Sequence, residues 1–186
     1  MFTRRRLGTS FKTKTLVRAG FLTALSIVFT RFLSVMIPIS GFPAIRVSFG
    51  SIPIVISGLF FGPAIGGLTG AAADLVGVLI NPMGTYHPGF TLSSILDGVI
   101  PGLMAMSFRK RPKAGRYFSF RRILAVEFIL SLINSTILNT LWLSQLFGTA
   151  YMVLLPARLL NAAAKLPIHT VIVFTVIRYL SRFIED

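Results

Sequence analysis

The apolar residues of this chain come in long runs, and the polar ones collect in short stretches between them. From Val47 to Ala73 no ionisable side chain occurs. That run exceeds the ~20 apolar residues that carry a helix across the hydrocarbon core of a bilayer. Six such spans are predicted, at about 16–37, 47–61, 64–80, 91–108, 120–143 and 151–179. Pro38 closes the first, and Gly62-Pro63 makes a tight turn after the second. The connection 81–90 holds two prolines and two glycines and reads as irregular. Backbone polar groups in hydrocarbon must be paired within their own segment, so each span is a helix. The predicted fold is all-α: one domain, 1–186, forming a bundle of six transmembrane helices. The first apolar segment lacks a small-residue cleavage site and reads as a retained span, not a signal peptide.

Charge sets the direction of the spans. The net charge is +14, and 13 of the 19 cations fall in residues 1–18 and 109–122. Basic blocks beside apolar spans mark the cytoplasmic side. The basic segment 1–15 and the basic loop 109–119 are therefore expected in the cytoplasm, with both termini. The connections 39–46, 81–90 and 144–150 then face outside. Cations flanking spans suit a lipid surface better than a nucleic acid. A multi-pass cell-membrane protein that binds no nucleic acid is expected.

Polar side chains within spans are costly and usually functional. Gly62, Gly66, Gly70 and Asp74 follow at intervals of four and share one helix face. Glycines let a neighbouring helix approach closely, so Asp74 is expected inside the bundle. Arg158, Ala162, Lys165 and His169 form a stripe on the last span, and Ser131, Ser135, Asn139 and Trp142 one on the fifth. Glu127 is expected to pair with an arginine of the basic loop. Arg31, Arg46 and Arg158 all map to the outer half, where guanidinium forks suit an anionic ligand. Asp74 could accept parallel hydrogen bonds from an amino group and a ring N–H. Tyr86, His87 and Phe90 offer rings to a planar solute. A small-residue pair, Gly20 and Ala24, on the first span suits close packing of a foreign helix.

Other chemistry is missing. Gly62–Gly67 is not followed by the Lys-Ser/Thr of a phosphate-binding loop, and no His-Glu-x-x-His occurs. No cysteine and two isolated histidines make a metal site unexpected. The chain therefore reads as a solute binder without its own ATPase site, not as an enzyme.

Several stretches resemble a known family: Arg46-Val-Ser-Phe-Gly-Ser-Ile-Pro-Ile54, Phe61-Gly-Pro63, Ala73-Asp-Leu-Val-Gly77, His87-Pro-Gly-Phe-Thr-Leu92, Ile100-Pro-Gly-Leu103 and Leu138-Asn-Thr-Leu-Trp-Leu143. Together they are similar to the substrate-binding S components of energy-coupling factor (ECF) vitamin transporters, above all the folate-binding members. The resemblance implies capture of folate from outside and no cofactor. It also implies docking through Gly20 and Ala24 on a transmembrane coupling protein, EcfT, driven by two ATPase subunits that use the ATP. It further implies Asp74 for the pterin edge, Arg31, Arg46 or Arg158 for carboxylates, Tyr86, Phe90 and Trp142 as lining, and Asn139 as a donor. Riboflavin, thiamine or queuosine as the vitamin, or a small intramembrane lipid enzyme, are the competing readings.

Overall fold

A computed structural model describes residues 13–39, 42–82, 84–109 and 118–184, with the side chains of 35–47, 109 and 181–184 outside that description. Chain order is helix α1 (Thr13–Arg31), strands β1 (Val35–Ile39) and β2 (Phe42–Val47), α2 (Ser51–Phe61), α3 (Pro63–Ile80) and α4 (Pro88–Arg109). Then follow α5 (Phe120–Leu130), a π-helical stretch (Ser131–Leu138), α6 (Asn139–Phe147) and α7 (Tyr151–Ile184). Because α5, the π stretch and α6 run on without a break, the described chain has six helical runs.

Four runs are long and apolar enough to cross a bilayer: Pro63–Ile80, Pro88–Phe108, Phe120–Phe147 and Tyr151–Leu180. The protein is thus a membrane protein. Helix α2 is apolar but only 11 residues long. Helix α1 carries Lys14, Arg18 and Arg31 and is not among the four.

The largest departure from expectation lies between α1 and α2. The predicted first span ran to Ile37 and the second began at Val47. Instead α1 ends at Arg31, and an antiparallel hairpin pairs Val35 with Val47, Met36 with Arg46 and Ile37 with Ile45. Val35, Ile37 and Ile39 are β-branched residues at alternate positions, which favours a strand. Pro38 has no amide hydrogen to extend a helix. An apolar count alone does not separate such a strand from helix.

Elsewhere the helix limits follow local chemistry. Gly62 adopts φ 92°, which glycine reaches without a Cβ penalty, and Pro63 opens α3. The glycine face predicted for α3 sits against α2 and α4. A Cβ on Gly66 would lie 2.6 Å from Gly58 Cα and 2.6 Å from Gly98 O. One on Gly70 would lie 1.9 Å from Ser94 O. Ser57 and Thr69 hydroxyls pair at 2.8 Å across the buried α2–α3 contact. A second apolar core joins α2, α5 and α7 through Val55, Leu59, Ile123, Val126, Val173 and Ile177. These two contacts leave a space between α3–α4 on one side and α5–α7 on the other.

Candidate ligand-binding cavity

That space is a cavity of about 690 Å³. It falls within the ~300–1,000 Å³ range of small-molecule sites. Its walls come from the end of α1, the start of α2, the 82–90 connection, α3, α4, the α5–α6 run and α7.

Seven of the nine residues expected to bind ligand line it: Arg31, Asp74, Tyr86, His87, Phe90, Asn139 and Arg158. Trp142 stands one layer behind. Its ring packs 5.6 Å from that of His87, and its Nε1 donates to Ser93 Oγ at 3.2 Å. A Cβ on Gly89 would meet the indole at 2.3 Å, so only glycine admits Trp142 there. Trp142 thus backs His87, whose Nδ1 also accepts from Gly89 N at 3.1 Å. Arg46 joins the hairpin through its backbone, and its side chain lies outside the described residues.

At one end of the cavity the charges are already paired. Arg31 Nη2 donates to Asp74 Oδ1 at 3.3 Å, with both side chains largely buried. Asp74 Oδ2 accepts from Thr91 Oγ1 at 2.7 Å, and Thr91 meets Tyr86 Oη at 2.9 Å. Arg31 Nη1 donates to Asn81 O, while Asn81 Nδ2 donates back to Arg31 O. Gly77 makes room for the guanidinium, since a Cβ there would lie 2.8 Å from Arg31 Nε. The group clamps the end of α1 to the end of α3. A buried charge is costly alone but tolerable when paired and hydrogen-bonded. Asp74 therefore faces inward as expected, and both its oxygens have donors.

Arg158 differs. It is buried and lines the cavity, yet among the described residues no carboxylate or carbonyl accepts from it, and its Nε has no partner. It sits ~10 Å along α7 from the Tyr151 end, at 1.5 Å per residue.

Further along, the cavity holds residues that sequence reasoning placed elsewhere or passed over. Glu127 does not reach out to the basic loop. It is buried at 6% exposure and lines the cavity, with Oε2 4.0 Å from His169 Nδ1. Starting seven residues into α5, its turn packs inward beside Ile123, Val126 and Leu130 of the core. Asp97 also lines the cavity, and its Oδ1 accepts from Asn134 Nδ2. Asn134 Nδ2 donates as well to Ser93 O at 2.8 Å, while Asn134 Oδ1 is buried without a donor. Lys165 lies close enough to act electrostatically on both Asp97 and Glu127.

The stripe predicted on the last span is real: Arg158, Ala162, Lys165 and His169 all face the cavity. On the fifth span, Ser131, Ser135 and Asn139 line it too, but Asn134 joins them. Asn134 follows Glu127 by seven and Ser131 by three, a spacing that keeps it on the same helix face. The signal for Asp97 was present in sequence, because Phe90, Ser94 and Asp97 recur at four and three.

Gly20 and Ala24 lie on α1 outside the cavity lining, and a Cβ on Gly20 would meet nothing within 4 Å. The same helix borders a separate apolar groove lined by Val17, Phe21, Leu22, Phe49, Ile56 and Val176.

Comparison with known proteins agrees with this architecture. The family model described as an ECF-type riboflavin transporter, S component, matches residues 10–178. The chain is 40% identical over 163 residues to the folate transporter FolT of Clostridium novyi (strain NT), covering 88% of this chain and 87% of that one. Its structure is similar to the crystal structure of FolT bound with folic acid, with TM-score 0.72, 30% identity, and 88% and 93% of the two chains covered. It also shares its fold with the S component of a bacterial ECF transporter, at TM-score 0.66 and 21% identity over 93% and 98% of the chains. A match across nearly the whole sequence, joined to a helical membrane fold that encloses a polar cavity, shows that this protein belongs to the S-component family of ECF-type transporters.

Proposed function

We propose that this chain is the folate-binding S component of an ECF-type importer. One observation carries the choice of vitamin: Arg158 is a buried cation in the cavity wall with no acceptor among the described residues. An unpaired buried charge is strongly unfavourable, so the site is built for an anion. The glutamate tail of folate supplies carboxylates. Riboflavin carries none and would leave Arg158 unpaired. Thiamine is itself a cation. The 40% identity to a folate transporter supports the same reading. Riboflavin is the second reading, because the matching family model carries that description.

In this reading Arg158 takes a tail carboxylate, and Arg31 and Asp74 border the mouth. Tyr86, His87 and Phe90 stack on the flat parts of the ligand, with Trp142 backing His87, and Asn139 donates a hydrogen bond. The chain crosses the membrane six times, α1 and α2 included, with both termini and the basic 109–119 loop in the cytoplasm. The cavity mouth at 82–90 then opens outward. The chain has no catalytic or ATPase role and needs no cofactor. Energy comes from two ATPase subunits acting through EcfT.

The test is a titration of the purified protein with folic acid, reduced folate, riboflavin and thiamine. Trp142 is the only tryptophan and stands behind the cavity wall, so its fluorescence reports occupancy. Tight folate binding without ATP is expected. Tight riboflavin binding with no response to folate would replace folate as the substrate.

The docking face is α1, where Gly20 and Ala24 are exposed beside the apolar groove. Replacing both by leucine is expected to leave folate affinity unchanged and to cut uptake by cells carrying the whole transporter at least ten-fold. Normal uptake by that variant would remove this face of α1 from the interface.

A further inference from the structure

We propose that Asp97, held by Asn134, is the group that reads the hydrogen-bonding edge of the ligand's heterocycle, and that Asp74 is not. This rests on the folate reading above and assigns the recognition element within that cavity.

Two carboxylates on α3 and α4 could meet the head. Asp74 is already engaged on both oxygens: Arg31 forms an ion pair at Oδ1 and Thr91 donates to Oδ2. A ligand N–H there would compete with Arg31, whose ion pair with Asp74 clamps α1 to α3. Asp97 accepts from Asn134 Nδ2 at Oδ1, and Lys165 acts on the carboxylate electrostatically. The same asparagine is fixed by a second bond to Ser93 O, so the carboxylate is held in place before ligand arrives. Asn134 is 3% exposed and its Oδ1 has no donor. Glu127 Oε1 is likewise buried without a donor. Two acceptors in this part of the cavity, Asn134 Oδ1 and Glu127 Oε1, thus lack a hydrogen-bond donor among the described residues, beside the cation Lys165.

That inventory selects among ring edges. A 2-amino-4-oxo-pyrimidine edge offers an amino N–H and a ring N–H side by side. A carboxylate accepts both in parallel, and charged acceptors make the stronger bonds. The imide edge of a flavin presents a single N–H between two carbonyl oxygens. Against Asp97 those oxygens would meet like charge and leave buried acceptors unsatisfied, which is the costly outcome. The edge that fits is a guanidine-like donor pair. Arg158, eleven residues nearer the Tyr151 end of α7 than His169, takes the opposite end of the molecule, which sets the ligand's direction in the cavity.

The test pairs one protein change with one ligand change. Folic acid is compared with its 2-desamino-2-methyl analogue, which lacks the amino donors but keeps ring shape and tail. The wild-type protein is expected to prefer folic acid by about 10- to 100-fold, as for a lost bond to a charged group. In Asp97→Asn the preference is expected to shrink to within about three-fold, because an amide cannot accept two parallel donors through both its atoms. Asp97→Ser, read the same way, serves should the amide variant not fold. A role limited to holding the helices together would weaken both ligands equally and keep their ratio. A wild-type preference retained in both variants, or no preference in the wild type, would overturn the assignment. If the wild type binds no folate at all, the folate reading fails instead.

Discussion

Replacing Arg158 by glutamine is expected to raise the dissociation constant for folate about 10- to 150-fold, from the ~1.5–3 kcal/mol of a hydrogen bond to a charged group. The ligand-free protein should respond in the opposite sense. Arg158 is buried, and its Nε has no partner. Removing an unpaired buried charge relieves a desolvation cost. The empty variant is therefore expected to melt at or above the temperature of the wild type. Titration by Trp142 fluorescence and thermal denaturation of the ligand-free protein measure the two halves. A variant that melts early, or that binds folate as before, would mean that Arg158 supports the bundle and does not hold a carboxylate. Lysine at this position keeps the charge but loses the planar fork, so Arg158→Lys should fall between the two.

The second large effect concerns folding. A Cβ added to Gly98 would lie 2.0 Å from Gly66 O and 2.2 Å from Gly66 C. Both are backbone atoms of α3, which a rotamer change cannot move. Overpacking in cores costs ~1–3 kcal/mol when side chains can yield, and more where they cannot. Gly98→Ala is therefore expected to destabilise the protein by more than ~3 kcal/mol, seen as loss of the monodisperse species in detergent. Gly20→Ala is its control. Nothing lies within 4 Å of the added atom, so the melting temperature should not change. Equal melting of the two variants would show that α3 and α4 are not packed backbone to backbone.

Much of the architecture is written in the sequence, for a simple reason. A helix in hydrocarbon must satisfy its own backbone, so length and apolarity nearly suffice to find α3, α4, the α5–α6 run and α7. Intervals of three and four also placed Arg158, Ala162, Lys165 and His169 on one wall before any neighbour was known. The glycine face of α3 was legible in the same way, since only close helix packing requires it.

What periodicity cannot say is which element stands opposite. It put Asp74 inside the bundle, but only the fold brought Arg31 and Thr91 to its two oxygens. It left Glu127 to a loop arginine, whereas the packing of α5 on α7 turned it toward His169. The hairpin of 35–47 escaped because its apolar count matches that of a helix, and strand pairing is a contact between separate segments. Only the packing of α4 against the α5–α6 run brought Asn134 to Asp97. Faces of single helices are local properties and follow from residue spacing. Partners are set by the mutual packing of six runs, and that packing decided which charge is spent on the protein and which is left for a ligand.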